Sequence, residues 1–101
     1  MSEQVEAFYE LVRGRRAIRR YADRPVPRAL VWRLLETAVW APSAHNRQPW
    51  RFAVVTAAAD KARLAAAMGA RLQADRTADG DPPEAIARDV ARSHARITGA
   101  P

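Results

Sequence analysis

The sequence predicts an α+β fold in a single domain over residues 1–101, with about four helices and one clear strand. Three observations carry that expectation. Apolar residues recur at helical spacing in four separate stretches. The segment WRFAVVT, from Trp50 to Thr56, is short, bounded, and rich in aromatic and β-branched residues, which suits a largely buried strand. At 101 residues and 49% hydrophobic content, the chain is the size of one small domain and can form a core.

Ser2 is placed to cap a first helix, with Glu3 and Glu6 near its positive end, Arg13 in its last turn and Gly14 as a stop. Val5, Phe8, Tyr9 and Val12 fall on one face, so this helix is expected to pack on something. The following run, RRAIRRYADRPVP, is broken by Asp23, Pro25 and Pro27 and should be extended or turning. Pro27 suits the first position of a second helix, striped by Leu30, Val31, Leu34, Leu35 and Ala38 and ending at Ala41-Pro42. After the strand comes an alanine-rich helix of roughly residues 58–74, with Leu64, Met68 and Leu72 at fourfold spacing. TADGDPP, residues 77–83, reads as a polar loop that is either a lid or a linker. Pro83 starts a final helix carrying Ile86, Val90 and Ile97 on one side, stopped by Gly99-Ala100-Pro101. A lone strand leaves its backbone groups unpaired on both edges, so it either pairs with segments read here as loops or, the favoured expectation, finds its partners beyond Pro101.

Charge and composition narrow the functional classes. The net charge is +6, yet Lys61 is the only lysine among seventeen basic residues, and an Arg- and Ala-rich bias can reflect genome base composition. The absence of cysteine excludes disulfides, thiolate metal sites and thiol nucleophiles. No run approaches the roughly 18 uncharged apolar residues that span a bilayer, and the acidic amino terminus has no apolar leader core. A cytoplasmic protein without membrane attachment is expected.

Eight arginines lie between Arg13 and Arg33, opposed there only by Asp23. In an extended RRAIRR, Arg15, Ala17 and Arg19 share one side, and the guanidinium groups of Arg15 and Arg19, four residues apart, can fork onto one phosphate. A phosphate monoester is thus a sensible ligand. A solvated charged face is the plainer alternative. Nucleic acid is a third, since arginine patches release counterions from polyanions and tryptophans such as Trp32, Trp40 and Trp50 can stack on bases. Core packing explains those tryptophans better. The loop APSAHNRQPW gathers Ser43, His45, Asn46, Arg47 and Gln48 between Pro42 and Pro49. Stiff loops of this kind present fixed donors and acceptors to a planar heterocycle such as a flavin ring; the alternative is a capped helix end in which Asn46 and Gln48 bond local backbone. Ser43 and His45 make no catalytic pair, because residues two apart in one loop rarely align and no orienting carboxylate is evident. His45 and His94 are expected to be exposed and form no metal site.

Taken in order, RRxxRxY, PVP, APSxxNxQPW and the apolar segment after it resemble the amino-terminal half of the nitroreductase family of FMN-dependent oxidoreductases. The resemblance runs from about Val5 onward. Through PSAHNRQPWRF and DPPEAIARDVARSHARITGAP it is most similar to the subgroup related to the flavin-binding domain that accompanies the ligase of deazaflavin coenzyme biosynthesis. It implies helices flanking a mixed, mainly antiparallel sheet, and an intertwined homodimer with FMN at the interface. It also implies hydride transfer from NAD(P)H to flavin and then to a nitroaromatic, quinone or flavin acceptor. Matched residue by residue, Arg15, Arg16, Ala17 and Arg19 correspond to the cofactor's phosphate and ribityl side, and Pro42, Ser43, Ala44 and Asn46 to the loop that reaches the flavin of the opposite subunit. Gln48 and Trp50 correspond to structural support. No residue is singled out as catalytic and none as a metal ligand.

Two departures qualify the resemblance. Ala17 stands where many members have a serine that helps hold the phosphate, removing one hydrogen bond of roughly 1–2 kcal/mol. The chain is also about half the length that the family fold requires. It is therefore expected to be the amino-terminal portion of a flavoenzyme, carrying about half of an FMN site. The alternative is a non-catalytic basic helical module that binds anions or nucleic acid.

Overall fold

A computed structural model describes residues 2–101, in which four α-helices and one short 3-10 turn follow one another. Helix α1 spans Glu3–Gly14, and the Ser2 hydroxyl accepts from the Val5 amide at 3.3 Å, as its capping position dictates. At the other end the Arg16 guanidinium turns back and donates to the carbonyls of Arg13 and Arg15, each at 3.0 Å. Those carbonyls would otherwise face water unpaired. Helix α2 spans Arg28–Ala38. Pro27 is its cap, not its first residue, and the Pro27 carbonyl accepts from Leu30 and Val31. The helix stops three residues short of the expected end, because Val39, Trp40 and Ala41 close into tight turns on Leu35, Thr37 and Ala38.

The two remaining helices, α3 over Ala58–Ala78 and α4 over Pro83–Gly99, form an antiparallel hairpin, and theirs is the only helix pair in extensive contact among the described residues. Its packing surface is built from small residues. Ala65 and Gly69 on α3 are buried, and Ile86 is the one large side chain buried to 5% exposure. A Cβ on Gly69 would lie 3.3 Å from Val90 Cγ1, so the absence of a side chain there is what lets α4 approach. Of the predicted stripe Leu72 is half-buried, but Leu64 and Met68 are nearly half exposed, because the buried row runs beside them through Ala65 and Gly69.

The predicted polar loop is shorter than its sequence suggests. Asp81 N–H donates to Arg76 O and Gly80 N–H to Thr77 O, the paired bonds of a Schellman cap, with Gly80 at φ 81° in the left-handed position that a glycine tolerates. Arg76 then binds both ends of the turn. Its Nε lies 2.7 Å from an Asp81 carboxylate oxygen, and its Nη1 pairs with Asp89 on α4. Across the far end of the hairpin, Lys61 Nζ donates to the Ala100 carbonyl at 2.7 Å. The turn is a tied linker.

The hydrogen bond from Arg76 holds the Asp89 carboxyl below its ordinary value of 3.8. A depressed folded-state pKa contributes stability above the unfolded value, and that contribution is lost as pH falls through the folded one. Helicity of residues 58–99, followed by circular dichroism, is therefore expected to fall below about pH 4, and Asp89→Asn should flatten that dependence. An unchanged acid profile in Asp89→Asn would remove Asp89 from the clasp.

The expected sheet is absent. Among the described residues there is no β-strand, and residues 47–57 carry no regular structure. Phe52, Val54 and Val55 are 38–53% exposed. Strand propensity is realised only when a second segment accepts and donates across the ladder, and no described segment does so. The predicted packing of α1 fails in the same way, since neither α1 nor α2 buries any residue fully. Trp32 and Trp40, expected in a core, are 55% and 87% exposed. The radius of gyration is 18.1 Å, against about 13 Å for a compact chain of this length.

Candidate functional site

The segment between α1 and α2 holds the arginine cluster without regular structure, and Arg15, Arg16, Ala17 and Arg19 are all exposed. None of the eight arginines from Arg13 to Arg33 forms an ion pair with a carboxylate among the described residues. The chain's ion pairs gather on α3 and α4 instead. Arg15 and Arg19 therefore have no carboxylate partner among the described residues. Arg16 differs, because its guanidinium already caps α1. Ala17 offers only backbone groups.

The polar loop is the other half of the candidate site, and its backbone is unusual. Ser43 enters extended, Ala44–Asn46 make the 3-10 turn, and His45, Asn46 and Gln48 take φ values of 53°, 52° and 52°. A non-glycine residue in this left-handed region costs roughly 1–2 kcal/mol. Gln48 is more constrained still, since a residue before proline favours extended backbone. Local bonds offset the strain. Asn46 N–H donates to Ser43 O at 3.0 Å and Arg47 N–H to Ala44 O at 3.2 Å. The Ser43 hydroxyl accepts from Gln48 N–H at 3.0 Å, and Gln48 Nε2 donates to Asn46 Oδ1 at 3.1 Å. Backbone held in sparsely populated regions by such bonds collects at ligand sites.

Pro42, Ser43, Ala44 and Asn46 thus form one ordered turn, whereas Arg15, Arg16, Ala17 and Arg19 lie on a separate segment. No hydrogen bond or ion pair among the described residues joins the two groups. His45 and His94 are exposed. No helix among the described residues is long and apolar enough to cross a membrane.

The family model described as "Nitroreductase family" matches residues 12–101. The chain belongs to the nitroreductase family. This nitroreductase-family chain is 54% identical over 52 residues to a 4-nitrobenzoate reductase from Nocardioides, a match covering 52% of the chain and 21% of the relative. An NADH dehydrogenase from Thermus thermophilus is 54% identical over 50 residues, covering 50% of the chain and 24% of the relative. An iodotyrosine dehalogenase homologue from Caenorhabditis elegans is 43% identical over 51 residues, covering 50% of the chain and 16% of the relative. The matched stretch thus spans less than a quarter of each of these three relatives. No solved structure matches.

The donor set suits the flavin mononucleotide that the family resemblance implies. Unpaired guanidinium groups at Arg15 and Arg19 complement a phosphate dianion. Asn46 Nδ2 has no hydrogen-bond partner among the described residues and can donate to a ring heteroatom. Sequence reasoning missed what Arg16 and Gln48 do. An arginine two residues past a helix-ending glycine is a recognisable capping cue, but nothing in the composition of AHNRQ announces left-handed backbone at three positions.

Proposed function

We propose that this chain supplies part of the flavin site of an FMN-dependent NAD(P)H oxidoreductase of nitroreductase type. The observation that carries the reading is the pairing of unpartnered Arg15 and Arg19 with an ordered donor-bearing turn at Ser43–Gln48, within a chain of this family. Arg15 and Arg19 would hold the phosphate, and Asn46 would orient the ring. Pro42 and Ala44 would flank the ring, and Ser43 would keep the turn closed. The cofactor would supply the hydride chemistry between NAD(P)H and a small acceptor, a capability that no side chain here has. The relatives, a nitrobenzoate reductase, an NADH dehydrogenase and a dehalogenase homologue, point to no single acceptor, and the acceptor class stays at nitroaromatics, quinones or flavins. Assembly of the site between two copies in a homodimer accords with the separation of its two halves along the chain.

The test is a titration of the purified chain with FMN and with riboflavin, read by quenching of flavin fluorescence while light scattering follows the mass. Saturable binding with a clear preference for FMN is expected. Equal, non-saturating quenching by both flavins would overturn the proposal.

A further inference from the structure

We propose that Gln48 is a positioning residue, which turns the Asn46 side-chain amide so that its Nδ2–H group, and not its carbonyl, faces a bound ligand. The ligand class is a planar heterocycle with exposed acceptor atoms, and the inference rests on the flavin reading above. The geometry is specific. Asn46 Oδ1 is occupied by the Gln48 Nε2 donor at 3.1 Å, and Nδ2 is left without a partner among the described residues. An amide whose oxygen is engaged presents its two donors on the other side of the same plane. Gln48 is itself anchored, because its backbone N–H donates to Ser43 Oγ at 3.0 Å across the base of the turn. Both residues sit at φ 52° with Arg47 right-handed between them, and this backbone brings the two side-chain amides within hydrogen-bond distance. Ser43 thus fixes Gln48, and Gln48 fixes Asn46.

Gln48→Glu tests this with almost no change of shape. The new carboxylate only accepts, so Asn46 must turn over, donate inward through Nδ2 and present its carbonyl to the ligand's acceptors. FMN and riboflavin affinities are expected to fall together by about tenfold, the scale of one hydrogen bond replaced by two facing acceptors. Riboflavin, which has no phosphate for the new carboxylate to repel, should show the loss as FMN does, and the far-ultraviolet circular dichroism should stay unchanged. Gln48→Ala, which leaves the amide free to choose, should lose only a few-fold. A second readout needs no flavin: the Asn46 side-chain amide resonances in a 15N-labelled chain should move downfield in Gln48→Glu as Nδ2 becomes a donor. Unmoved Asn46 resonances, or flavin affinities equal to those of the unchanged chain, would overturn the role of Gln48. Failure of the unchanged chain to bind FMN would count against the flavin reading alone, since the resonances still report which way the amide is turned.

Discussion

Replacing Arg15 and Arg19 together by glutamine is expected to weaken FMN binding by roughly two orders of magnitude while leaving riboflavin binding nearly unchanged. On the proposed reading each guanidinium would contribute a charge-assisted bond to the phosphate, worth roughly a factor of ten, and riboflavin carries no phosphate to lose. The effect should also flatten the dependence of FMN affinity on ionic strength, because surface charge attraction is what salt screens. Arg16→Gln provides the contrast. Its guanidinium is bound to the Arg13 and Arg15 carbonyls, so its loss should fray the end of α1 and reduce FMN affinity far less. A parallel fall for FMN and riboflavin in the double variant would show that these arginines shape the segment and do not hold the phosphate.

Ile86→Ala is expected to unfold the α3–α4 hairpin while leaving α1 and α2 as they are. Ile86 is the one large side chain buried between the helices, and truncation of a buried isoleucine costs roughly 2–5 kcal/mol. With only Ala65 and Gly69 buried beside it, the hairpin has little to set against that loss. Hydrogen exchange read segment by segment is the measurement. Residues 58–99 should lose protection in the variant, and residues 3–38 should exchange at their original rates, because the first two helices bury nothing against the hairpin. Loss of protection across all four helices at once would show a shared core that joins them.

Much of the helical layout was legible in the residues themselves. Ser2 followed by Glu3 and Glu6, and Pro83 followed by Glu84, are local statements about where a helix begins, and local statements survive when tertiary context is thin. The α3 contact row was not legible, because it is selected by smallness at Ala65 and Gly69, whereas periodicity counts hydrophobic bulk at Leu64 and Met68. The strand at Trp50–Thr56 failed for a different reason. Its residues carry the right propensity, but a strand is a relation between two segments, and no described segment pairs with this one. In the candidate site, Arg15 and Arg19 could be named from charge and spacing. The division of labour among Ser43, Asn46 and Gln48 depends on three left-handed backbone angles, which the composition of the loop does not encode.

The irregular stretch at residues 47–57 sets how this molecule behaves in a crowded solution. Five consecutive residues, Phe52 to Thr56, combine high β-propensity with no charge, and their backbone donors and acceptors are not engaged in any ladder. Such a segment is a template on which another copy can add itself edge to edge. Pro49 and Arg51 stand on one side of it and Asp60 and Lys61 on the other, and they act as gatekeepers: the proline cannot donate to a growing ladder, and stacking copies in register would pile like charges on one another. Protection from self-association thus falls to a handful of flanking residues, where a closed sheet would have supplied it by leaving no edge.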